Sequence, residues 1–230
     1  MELAGLVSIV AIFSIWEFLF PARKKTRKLS LLDVGAVLNI FIFSLICKTM
    51  IGPPATNIAL LSDLSLPRKY FFTILLVDFI LYWAHRCMHG KFLWKTHYFH
   101  HSVSELDWVR GLYTSGSHIS MYLIPQLLVG YYLFGFTSME MLPLFIFAYF
   151  VQMWQHANIT VNLGVINYII ISPQSHRLHH SINKEEYNSN FAAVFSFWDV
   201  LFGTYRHPGD ESYQLGSQSS LPLFRSLIGY

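Results

Sequence analysis

Charged residues are scarce. They make up 13% of the 230 residues, against roughly 25% in ordinary soluble domains. With 53% hydrophobic and 17% aromatic residues and a mean hydropathy of +0.41, this excludes a typical soluble fold. It points to an integral membrane protein. Cysteine is nearly absent. Cys47 and Cys87 lie in or beside apolar segments and give neither a disulfide framework nor a CxxC zinc motif. The net charge of +3 lacks the basic excess of a nucleic-acid binder. No Gly/Ser linker, low-complexity tract or fold-level repeat interrupts the chain, and its length leaves room for one membrane domain.

What fills the chain is apolar. Five segments, residues 3–20, 34–51, 70–84, 119–136 and 139–155, approach the roughly 20 residues a helix needs to cross a bilayer. The last two are joined by "FGFTSME" and read as a tight helical hairpin. Residues 161–171, "VNLGVINYIII", are about half a span and read as interfacial or re-entrant. The first segment lacks the basic start of a signal peptide and reads as a spanning helix, with Trp16 and Glu17 as an interfacial anchor. "RKKTRK", Arg23 to Lys28, follows it and places that loop in the cytoplasm. The expected fold is an all-α membrane bundle of four to five transmembrane helices. Two crossings then separate the histidine motifs, which puts them all on the cytoplasmic face.

There are eleven histidines. Eight fall in three tight groups: His85 and His89; His97, His100 and His101; His176, His179 and His180. His156 opens a further cytoplasmic segment. On a helix, positions i, i+3 and i+4 share a face, so HxxxH aims two imidazoles one way and HxxHH up to three. A single zinc site usually uses four ligands or fewer. Eight or nine convergent imidazoles therefore argue for two metal ions. His118 and His207 stand alone and read as core or interface residues. Imidazole suits zinc, copper, iron and nickel alike, so spacing does not choose the metal. No glutamate sits within these motifs, as HExxH hydrolases require. That favours redox chemistry.

The ordered set "DFILYWAHRCMH…LWKTHYFHHS" (78–102), "WQHAN" (154–158), "SPQSHRLHHS" (172–181) and "NSNFAAVFSFWDVLFGTYR" (188–206) resembles the fatty acid hydroxylase/sterol desaturase family. The resemblance covers about residues 78–206. It implies a small membrane bundle with a cytoplasmic histidine-rich helical cap. It also implies two iron ions that use O2 and two electrons to attack a C–H bond of a lipid, by hydroxylation or desaturation. The implied ligands are His85, His89, His97, His100, His101, His156, His176, His179 and His180. The implied organisation is membrane helices and loops over 1–69, a di-metal catalytic domain over 70–206, and a tail over 207–230.

Two departures from the family pattern stand out. Where many relatives carry R-x-H-P-x-E, this chain has "YTSGSH", Tyr113 to His118; and His156 is followed at four residues by Thr160 instead of a second histidine. Asn158, His118 or water is left to complete the ligand set. Asp78 lies on one helical stripe with Tyr82, His85 and His89, so it either orients a metal-bound histidine or pairs with a basic residue. Asn190 and Asp199 are expected to fix the cap, and Trp198 and Tyr205 to anchor at the interface.

"HPGD", from His207, echoes a haem-binding HPGG, but about twenty residues follow it, too few for a haem domain. Electrons are thus expected from a separate donor, cytochrome b5-like or a ferredoxin with its reductase. The host membrane, endoplasmic reticulum or bacterial inner membrane, is not readable. Two rival readings are a membrane zinc-dependent lipid hydrolase, which needs a carboxylate at the metal, and a non-catalytic metal or haem carrier.

Overall fold

The computed structural model describes residues 2–26, 28–56, 58–161, 163–209, 213–217 and 223–229. The main helices are α1 (Glu2–Leu19), α2 (Leu31–Met50), α3 (Leu66–Met88), α4 (Trp94–His101), α5 (Gly116–Leu128) and α6 (Ser138–His156). Short helices follow: α7 (Pro173–His179), α8 (Lys184–Tyr187), α9 (Phe197–Leu201) and α10 (Leu223–Ile228). All five long apolar segments are helical. By length and composition, α2 and α3 could cross a membrane, among the described residues.

Local chemistry sets the boundaries. Thr137 and Glu140 form a reciprocal capping box at the start of α6: Glu140 N–H donates to Thr137 Oγ1 at 3.2 Å and Thr137 N–H to Glu140 Oε2 at 2.8 Å. Ser115 caps α5 by accepting from His118 N–H at 3.1 Å. Pro125 lies inside α5 and supplies no N–H to the preceding turn, and the helix loosens into a π turn, Val129–Leu133. Gly135, at φ 65°, then reverses the chain into α6.

Val77, Leu127, Val129, Phe134, Met141 and Leu144 form the buried core between α3, α5 and α6. α1 packs on α6 through Ile9, Phe13 and Met153. Glu17 differs from the expected interfacial anchor: it is 4% exposed and accepts from the backbone N–H groups of Trp108 and Asn158, both at 2.9 Å. It also pairs with Lys25. A carboxylate at this point gives unpaired loop donors a partner, so it is retained inside. The half-span at 161–171 contains a 3-10 turn, Gly164–Tyr168, with Val165 80% exposed.

Candidate metal centre

α3 ends at His85 and His89. The Trp94–His101 helix follows immediately, α6 ends at His156, and α7 is little more than the second HxxHH itself. These four helix ends meet. Their histidines sort into two groups, His85, His89, His97, His101 and His179, and His100, His156, His176 and His180. Within a group every candidate ligand atom lies within 4.8 Å of the others.

The grouping refines the sequence expectation. An HxxHH motif does not deliver three imidazoles to one place. The i and i+4 histidines serve one group and the i+3 histidine the other. Thus His97 and His101 face one group while His100 faces the second; His176 and His180 face the second while His179 returns to the first. Each motif spans both groups and fixes their separation.

Hydrogen bonding settles several tautomers. Nδ1 of His85 lies 2.7 Å from the Phe191 carbonyl, Nδ1 of His179 2.7 Å from that of Ser189, Nδ1 of His156 2.6 Å from that of Gln152, and Nδ1 of His100 3.2 Å from that of Tyr113. A carbonyl only accepts, so in the neutral ring the proton sits on Nδ1 and Nε2 is a bare lone pair. Nε2 of His100 and Nε2 of His156 nevertheless face each other at 3.0 Å. Two lone pairs at that distance repel unless a cation lies beside both. Nε2 of His176 lies 3.0 Å from His156 Nε2. In the other group His97 Nε2 is 2.9 Å from His85 Nε2, and His101 Nε2 is 3.1 Å from His179 Nε2. Both ring nitrogens of His180 are buried without a hydrogen-bond partner among the described residues, a costly state that a metal ligand escapes. The donor set therefore fits metal ions, and its outer shell of carbonyls is what metal-bound histidines require.

Burial keeps these rings neutral. It holds His97, His100, His101, His176, His179 and His180 well below the ordinary imidazole value of 6.5, and charge on neighbouring histidines lowers them further. Neutral imidazole is the ligating form.

Two buried carboxylates act one layer out. Asp78 accepts from Val194 N–H at 2.8 Å, Phe195 N–H at 3.0 Å and Trp198 Nε1–H at 3.0 Å. Asp199 accepts from Phe191 N–H at 2.8 Å, Ala192 N–H at 2.9 Å and the Thr204 hydroxyl at 2.7 Å. Together they shape the 189–198 loop, whose Ser189 and Phe191 carbonyls hold His179 and His85. Asp78 thus neither bonds His85 directly nor pairs with a base; it acts through the loop. Trp198 is tied to Asp78 and packs on Phe79 at 4.9 Å.

Asn190, at φ 54°, donates its side-chain amide to the Ser175 and Arg206 carbonyls at 3.0 and 2.9 Å. Asn158 is engaged elsewhere. Its side chain pairs with the backbone of Arg23 at 3.0 and 2.7 Å, so its contact is the α1 exit and it is not placed as a ligand. His118 stands against the centre, with Nδ1 3.2 Å from His97 Nδ1. His207 is exposed.

The carbonyl partners are illegible in the sequence, because any residue supplies a carbonyl, and so is the need for Gly111. A Cβ there would lie 2.5 Å from His156 Cβ and 2.8 Å from its Nδ1. Only a bare Cα admits the ring.

On the side of the long helices lie two cavities of about 90 and 150 Å³, sharing Leu81, Tyr122, Gln126, Ala148 and Gln152 as walls. The larger reaches His118. Its volume matches one known to admit benzene.

The profile of the fatty acid hydroxylase family matches residues 70–204, well over half of the chain. The chain belongs to the fatty acid hydroxylase family. Relatives include an alkylglycerol monooxygenase of Xenopus tropicalis, 31% identical over 146 residues, covering 60% of this chain and 31% of that one. An ornithine lipid hydroxylase of Rhizobium tropici is 32% identical over 142 residues, covering 59% and 41%. A very-long-chain aldehyde decarbonylase of Oryza sativa subsp. indica is 24% identical over 149 residues, covering 60% and 23%. The chain spans about a third of the alkylglycerol monooxygenase and two fifths of the ornithine lipid hydroxylase. No solved structure matches.

Proposed function

We propose that this chain is a membrane-embedded lipid oxygenase built around two irons, hydroxylating or desaturating a C–H bond of a lipid with O2 and external electrons. One observation carries the reading: two all-histidine groups, five and four side chains strong, with bare Nε2 atoms turned toward one another. The family of hydroxylases supports the choice of iron. Bound there, iron would supply the activation of O2 that imidazoles alone do not.

The geometry supports a division of roles. His85, His89, His97, His101 and His179 would hold one ion, and His100, His156, His176 and His180 the other. If His97 ligates through Nε2, its Nδ1–H donates to His118, making His118 a positioning residue. Tyr122 and Gln126 line the approach of the lipid, and apolar walls keep bulk water from the reacting carbon.

The finer topology is part of the proposal. α2 exposes Val34, Val37, Leu38, Phe41, Ile42, Leu45 and Ile46, the surface of a helix facing lipid. With α1, α3 and the α5–α6 hairpin it makes four to five spans, and the basic loop after α1 puts the histidine cap in the cytoplasm.

The rivals fit less well. Among the described residues neither group contains a carboxylate, and Asp78 is fully engaged as an acceptor, so no general base for a zinc hydrolase is in place. The nitrogens within each group are spaced for an ion and leave no room for a porphyrin. Lipid profiling tests the proposal. Cells carrying active protein are compared with cells carrying a His176→Ala, His179→Ala variant. One lipid class is expected to gain one oxygen or lose two hydrogens only with the active chain. Identical profiles would refute it.

A further inference from the structure

The larger of the two cavities carries one formal charge in its wall. It is the ammonium of Lys48, and no carboxylate lines that wall among the described residues. Lys48 stands in the last turn of α2. Ile40, Ser44 and Lys48 line the cavity at four-residue steps, one stripe of the helix. Eight residues of helix cover roughly 12 Å. α2 and α5 run side by side in the same direction: the Asn39 amide donates to the Thr114 carbonyl at 2.7 Å, and Cys47 Sγ lies 3.6 Å from Ser120 Oγ. Ile40 and Thr114 therefore mark the histidine end of the cavity, and Lys48 marks the opposite end.

A lysine in the last turn of a spanning helix ordinarily extends its ammonium outward to water and lipid headgroups. Lys48 is turned inward. Its Nζ lies 3.9 Å from the ring centroid of Phe145, a residue 8% exposed in the core between α3, α5 and α6. α5 adds Tyr122 and Gln126, one turn apart, to the same wall. Neither the Tyr122 hydroxyl nor the Gln126 side-chain amide has a hydrogen-bond partner among the described residues. Polar groups left this way between membrane helices are costly, and a ligand with hydrogen-bonding oxygens relieves them. Leu81 and Ala148 supply apolar wall beside them. A cation, two hydrogen-bonding groups and an apolar surface together complement an acyl chain that ends in an anionic head.

We propose that the larger cavity binds the head of an anionic lipid, a carboxylate or a phosphate, with Lys48 as its counter-ion and Gln126 and Tyr122 as its hydrogen-bonding partners. The inference rests on the oxygenase reading and names the substrate class for it. With the head held at Lys48, the chain leads toward His118 and the centre. The carbon attacked then lies along the chain, away from the head. Lys48 precedes residues 70–204, which the family profile matches, so the selecting charge comes from a helix outside the matched region.

The test uses the full chain, metal-free, in an uncharged detergent, with bound lipid counted by native mass spectrometry. Three probes share one oleoyl chain: oleate, oleoyl lysophosphatidate and monoolein. At least one of the two anions is expected to bind tenfold or more tightly than monoolein. A preference for oleate assigns a carboxylate head, and a preference for lysophosphatidate a phosphate. Lys48→Gln is expected to remove the preference for the anion, and Lys48→Arg to keep it. Lys24→Gln, in the exposed loop after α1, leaves it at the wild-type level. Ala148→Phe fills the cavity with the charge intact and is expected to abolish anion binding. Gln126→Leu, of similar size, is expected to weaken it, and decides the matter if the bulkier variant loses helix content by circular dichroism. Equal affinity of wild type for all three probes, or an unchanged preference in Lys48→Gln, overturns the proposal. Unchanged anion binding in folded Ala148→Phe, or in Gln126→Leu, overturns the cavity as the place of binding. Absence of an O2-dependent product from iron-loaded wild type with dithionite and a lipid extract tells against the oxygenase reading instead, and the binding pattern still decides the head.

Discussion

Replacing Gly111 by alanine tests whether the second histidine group is held as the geometry demands. The added Cβ would sit 2.5 Å from His156 Cβ and 2.8 Å from His156 Nδ1. Ordinary carbon contacts begin near 3.5 Å, so ring or backbone must move by about 1 Å. Nδ1 is bonded at 2.6 Å to the Gln152 carbonyl, and Nε2 is 3.0 Å from both His100 and His176. A shift of that size strains the first contact and takes Nε2 away from its group. Overpacking of this kind costs about 1–3 kcal/mol. Disturbing a ligand's orientation typically costs 10–100-fold in metal affinity. The expected result is a 10–100-fold weaker second ion and an unchanged first ion, with helix content preserved, measured by metal titration and circular dichroism. Gly35→Ala is the control, because its Cβ meets nothing within 4 Å. A Gly111→Ala protein that binds both ions with wild-type affinity would refute the reasoning.

Three further outcomes follow from the surrounding polar network. Asp78→Ala leaves the N–H groups of Val194 and Phe195 and the Trp198 indole without their acceptor; at about 1–3 kcal/mol per unsatisfied buried donor it should lower the melting temperature markedly, and metal binding should weaken less than in His85→Ala. Glu17→Ala removes the acceptor for the Trp108 and Asn158 N–H groups and the partner of the exposed Lys25; at about 1–3 kcal/mol per unsatisfied buried donor it should lower the melting temperature, with the metal stoichiometry of the surviving folded fraction unchanged. Metal-free protein should lose stability as pH falls below 6.5, because the buried histidines hold depressed values while the unfolded chain takes up protons; each such proton costs up to about 1.4 kcal/mol per pH unit, and denaturant midpoints flat from pH 7 to 5 would contradict this.

Much of the site was legible because its chemistry is carried by an uncommon side chain at helical spacing. Nine histidines in short motifs announce a centre wherever the chain folds. The five apolar runs announced their helices for the same reason, a strong and periodic signal. Partition between the two groups was not legible. It depends on which helix ends meet, for His100 and His179 each join the group opposite to the other two histidines of their own motif. The carbonyls of Phe191, Ser189 and Gln152 were invisible because they belong to the backbone. Asp78 was read onto the right helix with two roles left open, and its contacts with the Val194 and Phe195 N–H groups and the Trp198 indole were not foreseen, since backbone donors leave no mark in the sequence. Glu17 looked like a surface anchor because its partners are backbone N–H groups about 90 and 140 residues away in sequence.

Metal content with product formation tests the central claim most directly. Protein purified without oxygen is to be assayed for iron and zinc, then given O2, reductant and a lipid extract. The account predicts two irons per chain and an oxygen-dependent lipid product, both lost in His176→Ala, His179→Ala. Fewer than one iron with two zincs, and no O2-dependent product after iron reconstitution, would contradict it.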